Sequence, residues 1–172
     1  ESTVPAAGIR HIQAEDVSNF KEHGLVCKLI STGIMKDGKL SAFVHPTLVD
    51  KGEPEANVPA NYNLITLVGS ASGRMSFYGQ GAGRYPTAYN VVQDCTDLLQ
   101  GKGFYSPYGG KVQADNSVER RFYVRGDKDA WLEENKQESW GNAVVTKPVS
   151  VSAMHDWLKK HPGTFLAALP NE

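Results

Sequence analysis

Two long apolar and partly β-branched runs, Leu25 to Ile34 and Leu40 to Val49, flank the tetrapeptide Lys36-Asp37-Gly38-Lys39. No other feature restricts the fold of this chain so strongly. An Asp-Gly pair supplies the positive φ angles of a tight hairpin turn, and strand-like runs on either side of it define a β-hairpin. Ahead of it, Ile9 and Ile12 sit in a short extended stretch. Ala14-Glu15-Asp16, Val17, Phe20 and Gly24 then follow the pattern of a two- to three-turn helix with acids at its start and glycine at its end. After a loop from Asp50 to Asn61, Leu64 to Val68 and Arg74 to Tyr78 form a second strand pair around Gly69 to Gly73. The expected architecture is α+β, a mostly antiparallel sheet with helices on one face.

The strongest local signal comes next, Gly79-Gln80-Gly81-Ala82-Gly83-Arg84-Tyr85-Pro86-Thr87, followed by Ala88, Val91, Val92, Cys95, Leu98 and Leu99 at helical spacing. This is a glycine loop opening a helix, with Pro86 in the first turn, where its missing N–H costs nothing. Glycines let a backbone pass close to a ligand, and the helix start offers free N–H groups and partial positive charge. The same pattern also serves as a plain strand-to-helix turn. It departs from the dinucleotide fingerprint, which requires a βαβ unit and an acid at the end of the next strand; Asp94 and Asp97 lie within the helix instead.

From Gly101 to Asp115 the chain is rich in glycine and aromatic residues without periodicity, which reads as a loop or linker and places a domain boundary near it. The division is therefore 1–115 and 116–172. In the second part Arg121 to Arg125 reads as a strand, Lys128 to Gln137 as a helix, and Asn142 to Val149 as a strand interrupted by Pro148. Ser150 or Ser152 caps a helix from Met154 to His161, and Phe165 to Leu169 closes as a strand. The order is βαβαβ or βαββαβ, the pattern of a small ACT-like α+β sandwich.

Composition narrows the partners. Eighteen basic side chains stand against nineteen acidic ones, so there is no electrostatic footprint for nucleic acid, and no apolar run is long enough to span a membrane. Cys27 and Cys95 lie in strand-like and helix-like apolar runs far from metal-ligand spacing. Buried thiols are the plain reading, a disulfide or a reactive thiol the alternatives, and a reducing cytoplasm fits. Neither Glu1 nor the segment that it begins resembles a signal peptide, and the start suggests a chain cut from something longer. His45 reads as a polar residue at a strand end or interface. His11, His23, His155 and His161 are scattered without carboxylate or serine companions, so no hydrolytic triad and no zinc pattern can be assembled. Glu133, Glu134, Lys136 and Glu138 read as a solvated helix face.

Taken in order, Gly8-Ile9 with Ile12 and Asp16, Gly24 with Lys28-Leu29-Ile30, Val44-His45-Pro46-Thr47-Leu48-Val49, Asn63, Phe77-Tyr78-Gly79-Gln80-Gly81-Ala82-Gly83, Pro86-Thr87-Ala88 and Val91-Val92 with Asp94 resemble the later part of homoserine dehydrogenases. The likeness runs over about residues 8 to 100, and its most specific element is the string from Tyr78 to Ala88. It implies interconversion of L-homoserine and L-aspartate 4-semialdehyde by hydride transfer with NADP or NAD, on the route to threonine, methionine and isoleucine. It also implies that the glycine loop closes over the nicotinamide end of the cofactor. Gly83 corresponds to the contact glycine, with Gly81 and Ala82 as weaker candidates. A homodimer formed by sheet pairing is implied as well.

The chain departs from the family in three places. The family's Pro-x-x-Asp-x-x-Gly-x-Asp-x-x-x-Lys motif, which carries its substrate and proton-transfer residues, has no match here, nor does its cofactor-binding glycine motif; catalytic residues are expected upstream of Glu1, and turnover requires them. At Gly52-Glu53-Pro54-Glu55-Ala56 the relatives carry His-Pro and apolar residues. From Phe122 to Leu169 the tail occupies the place of an ACT regulatory domain, yet Gly126-Asp127-Lys128-Asp129-Ala130 replaces the usual Asp-x-Pro-Gly-x-Leu turn. Feedback by an amino-acid effector, a regulatory or pairing module without catalysis, and a noncatalytic dimer scaffold stay open beside the enzyme reading.

Overall fold

The computed structural model describes residues 4–103 and 114–170. Along the chain the elements are α1 (Ala14–Glu22), β1 (Leu25–Lys36), β2 (Lys39–Asp50), a 3-10 turn (Pro54–Asn57), β3 (Tyr62–Gly69), β4 (Gly73–Gln80) and α2 (Arg84–Leu99). The later part contributes β5 (Glu119–Arg120), β6 (Phe122–Arg125), α3 (Ala130–Glu134), β7 (Lys136–Trp140), β8 (Ala143–Thr146), β9 (Val149–Ser150), α4 (Val151–Lys159) and β10 (Phe165–Ala168). These form two compact units, residues 1–56 with 112–172, and residues 57–111.

In the first unit, β1 and β2 pair in unbroken antiparallel register from Leu25↔Asp50 to Lys36↔Lys39. The two-residue turn between them has φ of 51° at Asp37 and 73° at Gly38. Two consecutive left-handed residues match the right-handed twist of the strands, which is why Asp-Gly closes this hairpin. The hairpin belongs to a six-stranded sheet of order β1-β2-β10-β6-β8-β7. β2 meets β10 in parallel at Thr47↔Ala168, and Pro5 to Ala7 pair with Val44 a few residues earlier. Pro46, which has no N–H to offer a ladder, stands between these two contacts.

Alternate residues of the central strands feed two cores. Phe122 and Val124 of β6 join Leu166, Val144, Phe43, Leu132 of α3 and Met154 and Trp157 of α4 on one face. Tyr123 joins Phe165, Ala167, Val145, Leu48 and Phe20 of α1 on the other. The α+β class and the mostly antiparallel sheet agree with the sequence, but helices cover both faces rather than one. α1 is held by an ionic contact as well as by Phe20. Asp16, fully buried, accepts hydrogen bonds from Tyr123 Oη (2.7 Å), Arg125 Nε (2.7 Å) and an Arg125 terminal nitrogen (2.9 Å).

Elsewhere the structure departs from the sequence reading or selects between alternatives that it left open. The helix expected over Lys128 to Gln137 stops at Glu134, and Lys136–Trp140 is the strand β7. Its pairing with β8, through a register shift between Lys136 and Glu138, outweighs helix propensity, so only Glu133 and Glu134 of the acidic run lie on a helix. Ser150, not Ser152, caps α4, its hydroxyl accepting from the Ala153 amide. With β5 and β9 forming a separate short pair, the tail runs β6-α3-β7-β8-α4-β10, the βαββαβ alternative. Finally, the compact units do not follow the expected division at 115/116. β2 and α1 share sheet and core with the tail, a long-range assembly that local composition does not encode. The linker expected over Gly101 to Asp115 lies largely outside the described residues.

The second unit consists of the antiparallel β3–β4 hairpin, from Tyr62↔Gln80 to Gly69↔Gly73, the glycine loop and α2. None of its described residues is buried, and Val68 (79% exposed) and Leu99 (89%) show how much apolar surface it presents. Cys95, expected to be buried, is exposed on α2 for the same reason, while Cys27 is half-buried on β1 and both are free thiols.

Candidate functional site: the glycine loop of the second unit

β4 delivers the chain into the loop at Gln80, and α2 takes it up at Arg84. Between them the loop is tied down by Asn61, just before β3. The Asn61 carbonyl accepts from the amides of Gly81 (2.9 Å) and Ala82 (3.4 Å), and its side-chain nitrogen donates to the Ala82 carbonyl at 2.6 Å. Tyr62 and Tyr78 stack across the hairpin with ring centroids 4.9 Å apart, and Gln80 donates to the Tyr62 hydroxyl. The loop is thus a pinned bend with a fixed course.

Two of its glycines sit where a side chain would crowd or strain the bend. A Cβ at Gly81 would run into the Asn63 carboxamide. Gly83 has φ of 120°, a region that side chains avoid, and a Cβ there would come within 3.4 Å of Asn61 Nδ2 and 3.6 Å of Pro86 Cδ. Gly83 is also the N-cap of α2 and brings no capping side chain, so the first amides of the helix stay open to an outside acceptor. Pro86 in the first turn subtracts one donor and fixes the entry angle. The Gly81 and Ala82 amides are already engaged by the Asn61 carbonyl. The loop can therefore lay bare main chain against a flat or anionic group, with Arg84 close by, its guanidinium 4.8 Å from the Tyr85 ring centroid.

The three candidates, Gly81, Ala82 and Gly83, stand together on this bend. Asn61 was not singled out in the sequence; its signal was its place directly before Tyr62-Asn63 at the mouth of a strand that leads into the loop. His45 is not at a strand end but in the middle of β2, 1% exposed, and His155 of α4 lies beside it at 3.3 Å. No spacing rule brings together residues 110 positions apart. Among the described residues no group of three or more His, Cys, Asp or Glu is arranged to hold a metal ion, and no helix is long and apolar enough to cross a membrane.

Fold and loop define the class: an α+β protein whose mixed sheet accompanies a glycine-loop hairpin opening an uncapped helix. The homoserine dehydrogenase family model matches residues 1–96, more than half of the chain, and the chain belongs to that family. It is 31% identical over 130 residues to a homoserine dehydrogenase of Bacillus subtilis, covering 71% of this chain and 30% of the relative. To one from Corynebacterium glutamicum it is 35% identical over 115 residues, covering 64% and 25%. A crystal structure of S. aureus homoserine dehydrogenase superposes with a TM-score of 0.62 at 26% identity, over 99% of this chain and 48% of that one. One from Thiobacillus denitrificans gives 0.67 at 21% identity, over 97% and 48%, a likeness of fold. The chain thus spans less than a third of these curated relatives' length, and about half that of the crystallised chains.

Proposed function

We propose that this chain is the later part of an NAD(P)-dependent homoserine dehydrogenase, and that its loop Gly79 to Gly83 lies against the nicotinamide end of the cofactor. One observation carries the reading: a loop pinned by Asn61 presents a glycine in a strained, side-chain-free conformation at the uncapped start of a helix. Gly83 supplies main-chain contact, Gly81 and Ala82 keep the approach open, and Asn61 acts as a positioning residue. The residues present fit a planar cofactor ring, which needs a smooth wall more than charged ligands. The cofactor, when bound, supplies hydride transfer between L-homoserine and L-aspartate 4-semialdehyde. The proton-transfer residues of the family motif are not among these 172, so turnover requires them. The preference between NADP and NAD is set by residues that contact the ribose, outside this loop.

The partner reading rests on the second unit. Ile65, Val68, Phe77 and Tyr78 on the hairpin and Val91, Val92 and Leu99 on α2 are exposed, more apolar surface than a free unit sustains. We infer that this surface is covered in the parent protein, which assembles as a homodimer through its sheets. The βαββαβ tail supports a second role, as an ACT-like module for an amino-acid effector. Titration calorimetry with threonine, methionine and isoleucine tests it, and absence of heat from all three rejects it. The enzyme reading is tested by assaying the full-length protein with L-homoserine and either NAD+ or NADP+. Cofactor reduction that depends on homoserine is expected, and none with either cofactor refutes the assignment.

A further inference from the structure

His45 of β2 and His155 of α4 form a contact that the glycine-loop reading does not use. Both imidazoles are buried, 1% and 3% exposed, with His45 Nδ1 3.3 Å from His155 Nε2. His45 stacks on Phe43 (centroids 4.6 Å apart) and meets the edge of Phe122. A nitrogen-to-nitrogen hydrogen bond needs one ring as donor and a bare nitrogen on the other as acceptor, so a proton on that accepting nitrogen breaks it. We propose that this contact is an acid-released latch: with the accepting nitrogen bare it clamps α4 to the hairpin strand β2, and protonation of that nitrogen sets two donors against each other and pushes the helix off the sheet.

The surroundings offer a second proton no relief. From β5, Arg120 adds positive charge toward His45. On α4 itself, Lys159 acts against a charged His155 and Asp156 for it, but Asp156 is already paired with Lys159 at 2.8 Å. From the segment before β5, Asp115 is committed to Ser117 and to Lys39 at 3.5 Å. Burial is the leading cause that lowers both rings, His45 to about 3 and His155 to about 4, with His155 itself the next cause for His45. Water has a path to the latch. A cavity of about 520 Å³ lined by Pro5, Asn116, Ser152, His155, Asp156 and Lys159 reaches the His155 side of the contact.

The sign follows from linkage. Each ring is held neutral when folded but titrates near pH 6.5 when released, so the open state gains protons as pH falls below that value. The clamp is intact above about pH 6.5 and weakens progressively toward the folded values. At pH 5.5 each released imidazole multiplies the opening constant about tenfold, or about a hundredfold for both.

Hydrogen exchange on the full-length protein between pH 7.5 and 5.5, corrected for intrinsic exchange rates, reads this directly. Peptides from α4 and the Phe43 to Thr47 part of β2 should open about a hundredfold more at the lower pH. Peptides from α1, clamped on the opposite face by Asp16 and Arg125, should not follow. His155→Gln should reduce the response to about tenfold or less, and the apolar pair His45→Phe with His155→Leu should abolish it, which keeps the test available if the single variant folds poorly. An α4 response that is absent, that α1 shares in full, or that survives the apolar pair overturns the proposal.

Discussion

Asp16 ties α1 to β6. It receives Tyr123 Oη and two nitrogens of Arg125 from β6, and the Gln13 amide from its own helix start. Arg125 is itself largely buried and also reaches the His11 carbonyl. Removing Asp16 leaves the largely buried Arg125 with only the half-exposed Glu15 at 3.3 Å as an ionic partner, and losing the buried partner of such a pair costs far more than the intact pair contributes. Asp16→Ala should therefore destabilise the first unit by about 3 kcal/mol or more, read as a lower denaturation midpoint in urea. An effect below about 1 kcal/mol would mean that water or Glu15, 3.3 Å from Arg125 Nε, satisfies the arginine instead. Neither this cluster nor the histidine latch was visible in the sequence, where Asp16 looked like an acid at a helix start and His45 like a strand-end polar residue. Their partners lie 107 to 110 positions away, and only the assembled sheet brings them within reach.

At the scale of elements, signals that act within a few residues translated directly into structure. Asp37-Gly38 made the hairpin turn, Gly24 with φ of 73° followed α1, and Gly83 opened α2. Gly38→Ala should cost about 1 kcal/mol, since an L-residue is forced into the left-handed region, without altering the sheet. Circular dichroism melting checks both halves of that statement. Where element identity depended on pairing, local reading failed. Lys136–Trp140 carries helix-compatible charges but contributes Trp140 to the core and a ladder to β8. The glycine loop was found by its residues, whereas Asn61, which shapes it, was not. Nothing in an isolated Asn says that its carbonyl will take two amides twenty positions on.

For the whole molecule, the central fact is that the family-matching segment and the tail share one sheet and two cores. A boundary at residue 115 follows composition, but β10 enters beside β2, and Phe43, Leu48 and Phe20 pack on tail residues. A chain ending at Asp115 should therefore fail to hold α1 and the hairpin in place, giving weak dispersion of amide resonances. A well-dispersed spectrum from that chain would show that the first half folds unaided. The most direct test of the account concerns the loop. In the full-length protein, Gly83→Val should lower kcat/KM for the nicotinamide cofactor by at least about tenfold, because the new side chain fills the approach to the helix start and strains the bend. Steady-state kinetics with cofactor and homoserine varied separately, on protein shown to melt as the parent does, make the measurement. Unchanged kinetics for both substrates would contradict the placement of Gly79 to Gly83 at the cofactor.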